Sequence, residues 1–157
     1  MRRSIPLSWF CLLFLHFSVW AVPRDLVRNG SFGVDLRSSW ALTSKPELAV
    51  ERVQVELDGA PKWIVRLRVE PVVDGDSWAV RMSQTVRVFL NKGDSLSLRV
   101  RMRSPDGCKL RPYLEQSRDP YIKVFEGAIS LTPEWKTYTI EGITDRAFSP
   151  GEATVGF

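Results

Sequence analysis

Apolar and polar residues alternate along much of this chain. Trp63, Val65, Leu67 and Val69 fall at every second position with Arg66 and Arg68 between them. Leu96, Leu98, Val100 and Met102 alternate in the same way with Arg99, Arg101 and Arg103. A period of two places successive side chains on opposite faces of an extended chain, so each run predicts a strand with one buried and one wet face. The same pattern predicts strands over 53–57, 78–82, 86–90, 109–116, 122–124 and 136–140, with 25–28 as an opening strand. Turn-forming residues separate them at Asp58-Gly59, Asp74-Gly75, Asn91-Lys92-Gly93-Asp94, Asp106-Gly107 and Pro150-Gly151, and Asn29-Gly30-Ser31 reads as a tight turn that needs its glycine. About eight short strands without a long amphipathic stretch indicate an all-β fold, an antiparallel β-sandwich of the jelly-roll kind.

The first residues break the alternation. Arg2 and Arg3 precede the apolar run 9–15, and the small residue Ala21 closes the segment. A charged start, a short apolar centre and a small residue at the end predict a secretory leader over 1–21. The run is shorter than the ~20 residues that cross a bilayer, so no membrane anchor is expected after cleavage, and the protein is expected to be secreted, extracellular or periplasmic. Cleavage would leave 22–157, or 136 residues, as one domain with a single core.

Removing the leader also removes Arg2 and Arg3 but no acid, which takes the formal charge from +4 to +2. So small an excess of arginine and lysine, spread along strands, gives no reason to expect nucleic acid. The leader contains His16, the chain's one histidine, and Cys11, one of its two cysteines. Histidine catalysis, metal sites built on His and Cys, and a disulfide to Cys108 are therefore not expected of 22–157. Phosphate loops and nucleophile elbows are absent from the sequence, and no pair of acids stands in a recognisable glycosidase context. The chain is not expected to be an enzyme, and a small hydrolase is the weakest of the functional classes considered.

The segment Leu26-Val27-Arg28-Asn29-Gly30-Ser31-Phe32, followed by Trp40, resembles the opening of carbohydrate-binding modules of the family four/nine and family twenty-two type. These are jelly rolls of the galactose-binding-like superfamily. Further likenesses follow in order: Trp78-Ala79-Val80-Arg81-Met82-Ser83-Gln84, then Lys92-Gly93-Asp94-Ser95-Leu96-Ser97-Leu98 leading to Met102-Arg103-Ser104, then Leu131-Thr132-Pro133-Glu134-Trp135-Lys136-Thr137-Tyr138, and Ala153-Thr154-Val155-Gly156-Phe157. Each motif alone is weak, and their shared order carries the resemblance. It implies non-catalytic binding of a polysaccharide such as xylan or β-glucan, in the service of a downstream glycoside hydrolase domain.

Three departures stand out. Gly33 takes the place of a glutamate that helps hold a structural calcium in the family, and the sequence ends at Phe157, before the last strand that often brings an aspartate to the same ion. Without either carboxylate the calcium is in question, and no other cofactor is expected. Leu96 replaces a usual tyrosine, which reads as a core substitution. The resemblance thus also predicts a sandwich lacking its last strand, with an unpaired edge.

Sugars offer hydroxyl edges and apolar ring faces, so a site for them needs aromatic planes and planar polar groups. The wet-face residues Tyr113, Arg101 and Glu115 are expected to form such a site, with Arg81 and Arg99 beside them and Tyr121 extending it from a loop. Tyr113 is the strongest of these, being an aromatic on the polar side of an alternating strand. Trp63 and Trp78 lie in phase with buried residues and are expected in the core. The alternative is a structural or adhesion β-sandwich that contacts other proteins through an apolar sheet face.

Overall fold

The computed structural model describes residues 8–19, 26–44, 48–69 and 80–157. Among these residues twelve strands form two five-stranded antiparallel sheets and a two-stranded ribbon. The first sheet runs β11 (Lys136–Ile143), β6 (Ser95–Arg103), β1 (Ser8–Val19), β4 (Ala60–Val69) and β3 (Leu48–Leu57). The second runs β2 (Ala41–Ser44), β5 (Val80–Val86), β12 (Ala153–Gly156), β8 (Tyr113–Gln116) and β9 (Lys123–Glu126). The ribbon pairs β7 (Cys108–Leu110) with β10 (Ile129–Leu131).

The alternation read from the sequence sets which face is buried. Leu96, Leu98, Val100 and Met102 of β6 and Val65 and Leu67 of β4 meet Met82 and Val86 of β5, Ala153 and Val155 of β12, Leu114 of β8 and Phe125 of β9 in one core. The β3–β4 hairpin turns through Asp58 and Gly59, both at positive φ (53° and 71°), as a two-residue hairpin loop with the right-handed strand twist requires.

Several sequence expectations are corrected. The predicted strand 109–116 is two strands, because Pro112 has no N–H to give a ladder and stands between β7 and β8. The predicted strand 86–90 survives only as the end of β5 and a lone bridge from Leu90 to Phe148. The opening strand is absent over the described residues 26–28. The Gln84 side chain replaces a ladder there: Oε1 accepts from Arg28 N at 2.6 Å, and Nε2 donates to the Arg28 carbonyl at 2.9 Å and to that of Ser39 at 2.9 Å. Gly30 is not the special residue of the following turn. Asn29 (φ 51°) and Phe32 (φ 53°) take the left-handed conformation, and Asn29 ties the loop through Nδ2 to the Val34 carbonyl at 3.1 Å. A 3-10 turn over Leu36–Ser38 then delivers Trp40, packed between Phe32 and Phe157 with ring centroids 6.4 and 6.3 Å away.

Trp63 is also corrected. It lies in phase with Val65 and Leu67 but beyond the end of the core, 36% exposed, under the guanidinium of Arg52 at 3.9 Å. Arg52 in turn donates to the carbonyls of Phe32 (2.7 Å) and Gly33 (2.6 Å), so it fastens the irregular segment to β3. The expectation for Trp78 and the leader's cleavage point lie outside the described residues. Residues 8–19 of the predicted leader, however, form β1, hydrogen-bonded on both sides in the middle of the first sheet.

On the second sheet Gly156 of β12 makes room for an aromatic ring. A Cβ there would stand 2.5 Å from Tyr113 Oη and 2.7 Å from the Met82 carbonyl, and the latter is backbone that cannot swing aside. Gly156→Ala is therefore expected to destabilise the fold by about 1–3 kcal/mol, read as a lower midpoint in chemical denaturation. Cys108 offers a second check. Burial pushes its thiol up from about 9 to about 11, so between those values the folded chain keeps a proton that the unfolded chain loses, and this group opposes folding as pH rises through that window. In a Cys11→Ser background, alkylation of Cys108 at pH 8 should run about a hundredfold slower in the folded than in the unfolded chain.

Candidate functional site

The outward face of the second sheet carries a compact charged cluster. Strand register puts Tyr113 of β8 beside Gly156 of β12, which pairs in turn with Ser83 of β5, and puts Glu115 of β8 beside Lys123 of β9. Directly paired residues share a face, so Arg81, Tyr113, Glu115 and Lys123 all stand opposite the core residues Met82, Leu114 and Phe125. The Tyr113 ring spans the space left by Gly156, and its hydroxyl accepts a hydrogen bond from Arg81 Nε across the intervening strand.

Glu115 is the electrostatic centre. Its Oε1 accepts from Arg81 Nη2 at 2.6 Å and its Oε2 from Lys123 Nζ at 2.5 Å, so one carboxylate, 3% exposed, is held between two cations. Lys123 also reaches Glu126 at 3.2 Å. Both cations approach the Tyr113 ring, each 4.8 Å from its centroid, where the negative face of the π-system attracts them. A buried carboxylate is tolerable only when its lone pairs are met by donors in this way. Burial raises the Tyr113 phenol above its ordinary value, with the positive charge of Arg81 pulling the other way. The phenol is thus held neutral, and it serves as acceptor to the guanidinium.

The expected site residues fall in two places. Arg81, Tyr113 and Glu115 come together. Tyr121 stands on the loop that joins β8 to β9, 51% exposed, at φ 52°. Arg101 and Arg99 do not join them: both lie on β6, on the outward face of the other sheet. Arg101 there grips Asp58 at the β3–β4 hairpin tip, a bond that holds the Asp58 carboxyl below its usual range. The alternation correctly marks Arg81, Arg99, Arg101, Tyr113 and Glu115 as outward, but it cannot say which sheet's outward face each belongs to.

Tyr113 differs from expectation in another respect. It points outward yet is 1% exposed, so its ring is a foundation under the cations, without a free stacking plane. The residues of the cluster that meet solvent are Arg81 and Lys123, with side chains 29% and 33% exposed. Lys123 was missed in the sequence because a lysine on a short strand is unremarkable. The usable signal was its outward phase, together with a lone carboxylate on a neighbouring strand. Among the described residues no group of three or more His, Cys, Asp or Glu is placed to hold a metal ion.

No protein-family profile matches this chain, and no curated protein sequence does either. Among solved structures the chain is similar to one titled "CBM4 structure and function", with a TM-score of 0.60, 17% sequence identity, and 83% of this chain aligned to 86% of that one. At that identity the likeness speaks for the fold. The chain has the all-β sandwich of that carbohydrate-binding-module structure, as the order of its sequence motifs led one to expect.

Proposed function

We propose that this protein binds carbohydrate without cleaving it, on the outward face of the second sheet. The observation that carries this reading is the Arg81–Tyr113–Glu115–Lys123 cluster. Glu115 and Tyr113 are buried beneath two cations that are themselves about one-third exposed, on a sandwich like that of a carbohydrate-binding module. A sugar's hydroxyls need donors held at fixed positions, and each cation here is pinned by a carboxylate and a ring, so little side-chain entropy remains to be lost on binding. Tyr121, on the loop between the two strands that carry Tyr113 and Lys123, supplies an exposed aromatic face for a pyranose ring. The ligand class is a β-linked polysaccharide such as xylan or β-glucan, and the role is to hold an attached glycoside hydrolase on its substrate. Secretion, directed by the leader over 1–21, would bring the protein to such polymers.

Affinity electrophoresis in gels containing xylan or β-glucan tests the reading. The protein should be retarded by at least one polymer, and Arg81→Gln, Lys123→Gln and Tyr121→Ala should each weaken that retardation about tenfold or more. Arg99→Gln, on the far sheet, should leave it unchanged. Absence of retardation by any polymer in a panel of β-glucans and xylans, with the chain folded by circular dichroism, would overturn the proposal.

A further inference from the structure

Strand β3 forms the longest edge of the two five-stranded sheets. Among the described residues it pairs with β4 alone, and its other side has no neighbour. Such an edge is a row of unpaired N–H and C=O groups ready for another strand. The other three edges are blunted: β2 and β9 have four residues each, and β11 carries Gly142. β3 has ten residues, with no glycine, proline or lysine and no shift in its register with β4. Gln54 and Glu56 are exposed, and their side chains have no hydrogen bond or ion pair among the described residues.

The hairpin fixes which groups of β3 face the free side. A two-residue loop closes on a hydrogen-bonded pair, here Leu57 with Ala60, and such pairs then alternate along an antiparallel ladder. Val53 and Val55 therefore bond to β4, and the main-chain groups of Arg52, Gln54 and Glu56 point away from it. Side chains alternate as well. Arg52, Gln54 and Glu56 share the face of Trp63, which pairs with Gln54. Val53, Val55 and Leu57 share the opposite face, half-buried against Ile64 in a small cluster that includes Trp135.

We propose that this edge is the contact surface for a second copy of the chain, joined β3 to β3 in antiparallel pairing about a two-fold axis through Gln54. Such an axis sets each residue opposite the one equally far from Gln54 on the other copy. Arg52 then meets Glu56 of the second copy, and Glu56 meets its Arg52, so one strand supplies both halves of two ion pairs. Arg52 has a group to give: Nε and Nη2 are held by the carbonyls of Phe32 and Gly33, and Nη1 has no acceptor among the described residues. Gln54 exchanges main-chain hydrogen bonds with its own counterpart. On the opposite face Val53 meets Val55 of the second copy, and the two apolar clusters around Ile64 become continuous. Other registers lose this match. An axis at Arg52 sets like charges against each other, one at Val53 removes both ion pairs, and one at Val55 offers Arg52 only the Asp58 that Arg101 already holds. This inference is independent of the carbohydrate reading, which concerns the other sheet.

The test uses the full chain. Sedimentation at rising concentration should show a monomer–dimer equilibrium. Glu56→Arg turns both ion pairs into like-charge pairs and should raise the dissociation constant about tenfold or more. Gln54→Pro removes an N–H that faces the free edge, so it should abolish the dimer and keep the circular dichroism of the folded chain. Register is read by cross-linking in a Cys11→Ser, Cys108→Ser background. In Gln54→Cys the two thiols flank the axis, where paired Cα atoms stand about 5.5 Å apart, within disulfide range, and mild oxidation should link two copies. Glu51→Cys, opposite Leu57 of the second copy, should link at least about tenfold more slowly. Should Gln54→Pro fail to fold, Glu56→Arg and the cross-linking pair decide. A chain that is monomeric at every concentration, a dimer undiminished by Glu56→Arg, or equal linking from both cysteine variants would overturn the proposal.

Discussion

Much of the fold depends on one row of side chains. Leu96, Leu98, Val100 and Met102 are all within 1% of complete burial, and β6, which carries them, joins β11 on one side and β1 on the other. Each such side chain contributes roughly 1.5–3 kcal/mol when taken out of water. A slip of one residue would turn the whole row outward and drive Arg99, Arg101 and Arg103 into the core. The register of β6 is therefore strongly specified, and with it the register of both neighbours. The arginine-lined outer face follows from the same constraint, because whatever alternates with a buried row must face away from it.

Where the chain leaves regular structure, polar side chains take over from the ladder. Segment 26–40 buries Leu26, Val27, Phe32, Leu36 and Trp40, which close the core, yet it forms no strand. Its backbone groups are met by Gln84 from β5, by Asn29 from within and by Arg52 from β3. Gln84 is buried in phase with Met82 and Val86, an unusual place for an amide, and its three hydrogen bonds to Arg28 and Ser39 account for it. An apolar residue at that position would pack equally well but leave those backbone groups without partners.

These details separate what the sequence could reveal from what it could not. Strand phase was legible wherever a run of four or more alternating residues existed, as in β4 and β6, because period-two burial is a local property. The split at Pro112 was legible in principle, since proline cannot donate to a ladder. Partnership was not. Arg101 and Tyr113 look alike in the sequence, both outward and both polar-capable, yet they occupy opposite outer faces of the sandwich because strand order is set by long-range pairing. Trp63 was misjudged because phase says which way a side chain points but not whether the facing sheet extends far enough to cover it. The burial of Tyr113 was hidden for a related reason: it depends on Gly156 lying next to it, 43 positions further along the chain.

The two outer faces treat charge differently, and topology explains why. On the second sheet β8 and β9 are neighbours in sequence and in space, so Glu115 and Lys123 meet through a short connection, and Arg81 needs only to reach across the strand that carries Gly156. The carboxylate is thus supplied from within the sheet, and the cluster is closed. On the first sheet β1, between β4 and β6, carries no acid in its sequence, and Glu51 of β3 and Asp58 at the β3–β4 hairpin tip bring carboxylates to Arg66 and Arg101. A completed ion cluster favours a surface that keeps one arrangement.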